Sequence, residues 1–150
     1  MTQPAGYSGT PLPSKLGVRA GSRVLLVDPP AGFDLRPLPP EATVHRRPGR
    51  SAYDVVLVFC ADSAGLHRRF RPLAARLTPA GALWVGWPKR ASGVPTDLDG
   101  NVVRDHGLDV GLVDVKVAAI DATWSGLKFV VRLRDRPTSP SAAGAARRPG

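Results

Sequence analysis

The sequence predicts an α/β protein: a Rossmann-like, three-layer sandwich with a mainly parallel sheet and a C-terminal antiparallel hairpin. The first observation is a set of three short, valine-rich apolar runs over residues 24–27, 55–59 and 82–87. Continuous apolar runs of this length are typical of strands buried on both faces of a sheet. The second observation is helical apolar spacing after two of these runs. The third is strict alternation of apolar and polar residues near the C-terminus.

The run over 24–27 predicts the first strand, and a weaker strand is expected over Thr43–His45. The segment between these two strands leaves little room for a helix. After the run over 55–59, Asp62 or Ser63 is expected to cap a helix. Four apolar residues at helical spacing predict its buried stripe: Leu66, Phe70, Leu73 and Leu77.

A second, shorter helix is predicted after the third apolar run. Thr96 and Asp99 have the spacing of a capping box, in which a side chain caps the first free amides of a helix. Three residues then share one face: Leu98, Val102 and His106. Gly107 is expected to end this helix, because glycine readily adopts the backbone conformation of a C-terminal cap.

Alternation near the C-terminus predicts two strands, each with one solvent-facing side. Valines at 113, 115 and 117 alternate with polar residues, and the same period covers 127–133. The short segment 121–123 between them indicates an antiparallel hairpin at the sheet edge. Because such an edge would let two copies extend one sheet, a homodimer is one expected arrangement.

The chain is expected to fold as a single domain, since 150 residues with 43% hydrophobic content can bury one core. Prolines and glycines predict an extended N-terminal arm over 1–14, with the Rossmann-like domain over 15–135. The small, polar, proline-bearing end predicts a disordered tail over 136–150. The chain has neither a long apolar run nor a signal-peptide pattern, so a cytoplasmic location without membrane partners is expected.

The formal net charge of +9 favours anionic partners, although GC-rich coding would produce the same arginine bias. Arginines clustered over 46–50 and 68–76 raise the alternative of nucleic-acid binding. Trp87 and Trp124 are candidate stacking platforms for bases, whereas Trp84 is expected to fill the core. The single cysteine and the scattered histidines predict neither a disulfide nor a metal site.

Four motifs resemble those of a small actinobacterial domain-of-unknown-function family. They are GYSGTPL at 6–12, KLG at 15–17, WPK followed by ASG at 87–93, and TWSGLKF at 123–129. The similarity extends from about residue 6 to residue 136. Because this family has no assigned function, the resemblance implies no activity. The order of predicted elements is also similar to a truncated class I methyltransferase.

The sequence departs from methyltransferases at both positions that would hold their cofactor. The first strand is followed by Asp28-Pro29-Pro30 rather than by a glycine-rich turn, and prolines lack the amide donors that a cofactor would need. The second strand ends in His45-Arg46-Arg47, where those enzymes carry an acid for the ribose hydroxyls. A dinucleotide fingerprint is missing as well. No cofactor is therefore expected.

Ligands of open parallel sheets bind at the carboxyl ends of the strands, which gives one candidate ligand-binding edge. Its residues are Asp28, Asp62, Lys89, Arg90, Ser92, Gly93 and Trp124. Amide groups around Ser92, Gly93 and Thr96 are expected to help hold an anion. Two alternative interpretations concern residues at the same edge. In one, Asp28 and Asp62 form a proton-transfer pair near Lys89; in the other, Cys60 is a nucleophile.

The sequence therefore favours a non-catalytic binding or regulatory module with a methyltransferase-like fold and no catalytic residues. Its partner is expected to be an anionic small molecule or another protein. One alternative is an S-adenosylmethionine-dependent methyltransferase with a rearranged pocket. The other is a nucleic-acid-binding protein.

Overall fold

The computed structural model describes residues 10–135. The predicted tail over 136–150 and the first nine residues of the predicted arm lie outside this range. Within the arm, residues 12–14 are not extended, because they belong to a short helix, α1 (Leu12–Leu16). Proline is compatible with the first turn of a helix, and Gly17 closes α1 in the left-handed conformation at φ 87°.

Six strands form one sheet in the order β2-β1-β3-β4-β6-β5. They are β1 (Arg23–Val27), β2 (Thr43–His45), β3 (Tyr53–Phe59), β4 (Leu77–Pro88), β5 (Leu112–Ala119) and β6 (Trp124–Val131). The first four strands of this order are parallel, whereas β6 is antiparallel to both β4 and β5. The mainly parallel Rossmann-like sheet with a C-terminal antiparallel hairpin is thus confirmed. Strand β5 forms one edge of this sheet, and pairing between two copies stays a prediction.

The two faces of the sheet are covered unequally. Helices α2 (Ser63–Ala74) and α3 (Gly100–Val110) cover one face and bury a cluster that includes Phe70 and Phe129. The other face is covered by α1 and by the irregular segment 28–42, whose Phe33 packs against the second cluster. Five prolines in that segment disfavour a helix, which makes this outer layer thin.

Helix α2 ends earlier than its apolar stripe predicted. Leu77 is not helical, because its backbone pairs with Tyr53 at the start of the long strand β4. The helix closes at Ala75, whose amide donates to the Arg71 carbonyl, and the Tyr53 amide then donates to the carbonyl of Arg76. Strand pairing therefore overrides the local helical spacing at this position.

Helix α3 extends past the residue that was predicted to end it. Asp99 caps its start by accepting a hydrogen bond from the Val102 amide. The capping-box spacing, which made Thr96 the cap and Asp99 part of the first turn, was wrong, because Thr96 lies before the helix and accepts from the Leu98 amide at 3.0 Å. Gly107 lies inside the helix, and the left-handed cap is Gly111 at φ 111°. The absence of a side chain at Gly107 instead allows the Phe129 ring of β6 to approach the helix closely.

The alternation predicted for β5 is interrupted by a β-bulge. Asp114 pairs with Phe129, but the next paired residue is Lys116, so Val115 is left between them. The extra residue reverses the facing of the strand, because neighbouring side chains point to opposite sides. Val115 and Val117 are consequently 53% and 63% exposed, so the prediction of one continuous apolar face was wrong.

Two histidines stack between α2 and α3, and one of them makes folding pH-dependent. His106 lies 4.4 Å from His67 between ring centroids, and its Nε2 is buried without a hydrogen-bond partner among the described residues. Burial lowers the pKa of His106, the charges of His67 and Arg71 lower it further, and Asp109 opposes them.

We expect the free energy of unfolding to decrease as the pH falls below about 6.5, the ordinary histidine value, because the unfolded chain then binds the proton more readily. The stabilising contribution is fully present above that pH. His106→Leu should flatten this dependence, as measured by urea unfolding at about pH 8 and about pH 5. The same pH dependence in the variant as in the wild type would contradict this assignment.

Candidate functional site

The seven residues predicted to bind a ligand follow or begin strands at one end of the sheet. Asp28 follows β1, Asp62 follows β3, and the segment 89–93 follows β4. Trp124 begins β6 opposite Pro88, the last residue of β4. We call this end, comprising residues 28–30, 60–63, 88–99 and 120–124, the carboxyl edge.

The first part of the carboxyl edge surrounds the start of α2. Asp28 forms an ion pair with Arg69 of α2 at 2.7 Å, and it holds the left-handed backbone conformation at φ 55°. Asp62 caps α2 by accepting a hydrogen bond from the Gly65 amide at 2.8 Å. The charge of Arg69 lowers the pKa of the Cys60 thiol, and the charges of Asp28 and Asp62 raise it, so these side chains lie near Cys60.

The second part joins the end of β4 to the turn of the C-terminal hairpin. The Lys89 amide donates to the Thr123 carbonyl at 2.8 Å. Trp124 is half-buried and packs edge-on against Phe59 with 5.1 Å between ring centroids; Phe59 in turn contacts Phe33. Trp124 therefore forms part of the wall of the core as well as of the edge.

The backbone amides expected to hold an anion are used within their own turn. The amides of Ser92 and Gly93 donate to the carbonyls of Lys89 and Arg90, at 3.0 and 3.3 Å. The Val94 amide donates to the Ser92 hydroxyl oxygen at 3.2 Å. The expectation that amides around Ser92 and Gly93 form an anion cradle was wrong, because this segment closes into a 3₁₀ turn over residues 90–92.

The start of α2 is likewise filled by a carboxylate of the protein itself. Asp97 accepts hydrogen bonds from the amide and the hydroxyl of Ser63, at 2.8 and 2.6 Å. These two bonds are the main reason why the pKa of Asp97 is below its usual value. Asp97 is not recognisable from the sequence alone, because a cap contributed from 34 residues away leaves no local signal.

Each aspartate of the carboxyl edge has a structural partner. Besides the three described above, Asp99 accepts from the Val102 amide, and Asp121 accepts from the amides of Thr123 and Trp124, each at 2.8 Å. The edge as defined contains five aspartates and two basic residues, Lys89 and Arg90, and Arg69 of α2 pairs with one of those aspartates. The positive charge of the whole chain is not concentrated there.

Cys60 lies at the end of β3 and is 2% exposed. Burial is the largest cause that raises the pKa of its thiol, to about 11. A thiol with such a pKa is protonated at neutral pH and is a poor nucleophile, since the thiolate is the reactive form. The interpretation of Cys60 as a buried core residue is the better supported one.

A cavity of about 450 Å³ lies beside β1 and β2, between the sheet and the segment 32–38. Arg46 lines it at the end of β2, where a cofactor-binding enzyme would carry an acid. Asp34 also lines it, but its carboxylate is held by the Arg36 guanidinium, with three contacts of 2.9 to 3.1 Å. None of the seven predicted ligand-binding residues lines this cavity.

The arginine clusters surround a shallow surface at Pro72. Arg68 and Arg69 line one side, and Arg50 and Arg76 line the other. Of the two tryptophans considered as base-stacking platforms, Trp87 is 7% exposed and packs in the core, so only Trp124 is accessible. Neither tryptophan lines this surface, so the arginines there are not accompanied by a tryptophan ring on which a base could stack.

Over residues 10–135 no group of three or more metal-ligating side chains comes together. None of the helices in that range is long and apolar enough to cross a membrane.

The solved structures that resemble this chain include two methyltransferases. A putative methyltransferase from Thermoplasma acidophilum is 11% identical with a TM-score of 0.48, over 78% of this chain and 71% of that one. A TehB-like SAM-dependent methyltransferase from Corynebacterium glutamicum is 14% identical with a TM-score of 0.46, over 85% of this chain and 91% of that one. No protein-family model and no curated protein matches the sequence.

Proposed function

We propose that this Rossmann-like protein is a non-catalytic binding module that docks a protein partner on its carboxyl edge. The observation that carries the proposal is the engagement of all five aspartates of the edge in caps, turns or an ion pair. A catalytic acid or base needs a carboxylate that is free to exchange a proton with substrate. Asp28 and Asp62, the pair considered for proton transfer, both serve the architecture of α2.

The surroundings of β1 and β2 also disfavour an adenosyl cofactor. Pro29 and Pro30 lack amide donors immediately after β1. In the cavity beside these strands, the cation Arg46 stands where an acid would bind the ribose hydroxyls. The acid of this cavity, Asp34, is already paired with Arg36. These features support a binding role over the alternative of a methyltransferase with a rearranged pocket.

A protein partner suits the carboxyl edge better than a small molecule does. Small-molecule sites are concave, whereas neither of the two cavities of about 450 Å³ is lined by the seven candidate residues. Val94 is 40% exposed, and Pro95 beside it is exposed as well. A surface that combines charges of both signs, exposed apolar groups and an aromatic residue is typical of protein interfaces.

Lys89 and Arg90 are the residues that we assign to partner recognition. Neither side chain has an acidic partner within residues 10–135, so both cations can pair with carboxylates of another protein. Ser92 and Gly93 shape the turn that presents them, and Trp124 supplies an aromatic surface beside it. Asp28 and Asp62 hold the neighbouring helix in place.

The first experiment tests the absence of a methyl-transfer cofactor. Calorimetric titration of the full chain with S-adenosylmethionine should give no saturable heat up to about 1 mM. Saturable binding below that concentration would overturn the non-catalytic assignment. In that case Arg46→Asp, which restores an acid at the end of β2, should strengthen the binding.

The second experiment tests the docking surface. A lysate of the source cells is passed over immobilised protein, and the retained partner is purified for direct titration. The double variant Lys89→Glu/Arg90→Glu should weaken its binding at least tenfold, whereas Arg47→Glu/Arg50→Glu, with the same change of charge elsewhere, should change it less than twofold. Equal losses in both variants would indicate a general charge effect and contradict the proposal. A retained nucleic acid whose affinity falls steeply with salt would contradict it in favour of that alternative.

A further inference from the structure

A second cavity of about 450 Å³ lies at the opposite end of the sheet, near the amino ends of β1, β3 and β4. We call it the amino-edge cavity. Its lining includes the charged residues Arg19, Lys128 and Asp54 and the apolar residues Leu16, Val55 and Ala82. Its volume lies within the range of about 300–1,000 Å³ that is usual for small-molecule sites.

Two cations line this cavity, Arg19 and Lys128, and Lys116 is the strand neighbour of Lys128. Lys128 of β6 lies directly opposite Lys116 of β5, and side chains at opposed positions of antiparallel strands share one face. Burial is the main cause of the lowered pKa of Lys128, and the charges of Lys116 and Arg19 lower it further. Like charges placed opposite each other destabilise a sheet unless something neutralises them.

The described residues provide no such neutralisation. The side chains of Arg19, Lys116 and Lys128 have no hydrogen bond or ion pair within residues 10–135. Asp54 is the one acid among the lining residues, and its carboxylate accepts from the Arg23 amide at 2.8 Å and from the Thr78 hydroxyl at 3.4 Å. Both donors are neutral, so Asp54 keeps its negative charge, and the lining combines two cations with one carboxylate and is positive overall.

We propose that the amino-edge cavity binds a small phosphomonoester, with Lys128 and Arg19 as the contacts of its phosphate group. Arg19 and Lys128, with Lys116 opposite Lys128, are best matched by a group with nearly two negative charges, as a phosphomonoester has at neutral pH. The planar guanidinium of an arginine can donate two parallel hydrogen bonds to two oxygens of a tetrahedral phosphate, and lysine adds a compact charge. Leu16, Val55 and Ala82 offer an apolar wall to the organic part of the ligand.

This site is independent of the proposed docking surface, because the two lie at opposite ends of the sheet and share no residue. The balance of charge also differs: aspartates outnumber lysine and arginine at the carboxyl edge, whereas Arg19 and Lys128 outnumber the single carboxylate of Asp54 in the amino-edge cavity. A binding module with these two surfaces would take a phosphorylated small molecule at one end and a protein partner at the other.

Titration with phenyl phosphate at low ionic strength tests the proposal, with inorganic phosphate and phenylacetate as comparison probes. Wild-type protein should bind phenyl phosphate with a dissociation constant of about 1 mM or lower. Inorganic phosphate should bind at least tenfold more weakly, because it lacks the apolar group. Phenylacetate should bind at least threefold more weakly, because it carries one charge. Equal binding of phenylacetate and phenyl phosphate would overturn the phosphate assignment.

Three variants assign the binding to the cavity. Lys128→Met keeps the length of the side chain and removes its charge, and it should weaken binding of phenyl phosphate at least tenfold, as should Arg19→Gln. Arg68→Gln removes one positive charge from the exposed side of α2 and should change the affinity for phenyl phosphate less than twofold.

Thermal unfolding checks that each variant is folded. Lys128→Met should unfold at no lower temperature than wild type, since it removes a like-charge pair. Absence of saturable binding, or equal losses in Lys128→Met and Arg68→Gln, would overturn the proposal without affecting the docking surface.

Discussion

Replacing Trp84 with alanine is expected to lower the free energy of unfolding by about 3–5 kcal/mol. Trp84 lies in the middle of β4, is 0% exposed, and heads the fully buried side chains by residue volume. Its indole Nε1 donates to the Leu16 carbonyl at 3.0 Å, which fixes the end of α1 against the sheet. Alanine would leave a large cavity in the core cluster beneath the thin outer layer and would release this contact. Urea unfolding followed by circular dichroism measures the loss.

Two further variants separate the volume of the Trp84 side chain from its hydrogen bond. Trp84→Phe retains an aromatic ring but leaves the Leu16 carbonyl without its donor, which should cost about 1–3 kcal/mol. Trp124→Ala, at a half-buried tryptophan, should cost less than half as much as Trp84→Ala. A loss below about 1.5 kcal/mol for Trp84→Ala would show that the thin layer collapses into the space without difficulty.

Replacing Gly107 with alanine is expected to destabilise the protein by about 1–3 kcal/mol, although alanine is by far the better helix former. A Cβ at position 107 would lie 2.6 Å from both Cδ1 and Cζ of the Phe129 ring and closer still to Cε1. Because Phe129 is 0% exposed and packs against Phe70, the ring has no free space to move into. The same urea unfolding measurement detects the effect.

The matched control for Gly107→Ala lies in the same helix. At Gly100 an added Cβ would lie 3.7 Å from Trp87 Cζ2, an ordinary contact, so Gly100→Ala should be neutral or stabilising by up to about 1 kcal/mol. The double variant Gly107→Ala/Phe129→Leu should lose less free energy of unfolding than the sum of the two single losses, because the clash at position 107 depends on the Phe129 ring. Equal stability of the two alanine variants would contradict the close approach of α3 to β6.

The two ends of the sheet differ in charge, although the sequence carries an overall excess of basic residues. At the carboxyl edge, aspartates cap helices and turns, because each strand there is followed by a segment with free amides that need acceptors. At the amino-edge cavity, the hairpin places two lysines opposite each other. The net charge of the chain thus says little about which end would attract an anion, since position in the fold determines the local balance.

The sequence by itself determined the apolar centres of the strands, the start of α2, the presence of α3 and the C-terminal hairpin. Each depends on neighbours within about a dozen residues: continuous apolar runs, a capping side chain, or two alternating segments with a short turn. The order of elements follows from these local patterns. The two prolines after β1 are read directly from the sequence.

Only the tertiary structure decided the end of α2 at Ala74, the passage of α3 through Gly107 and the bulge at Val115. The first depends on pairing of Leu77 with Tyr53, the second on the ring of Phe129, and the third on the register against β6. The filling of the α2 start by Asp97 and the gathering of Arg19, Lys116 and Lys128 are of the same kind. All of them arise from contacts between segments far apart in the chain, which periodicity and spacing do not encode.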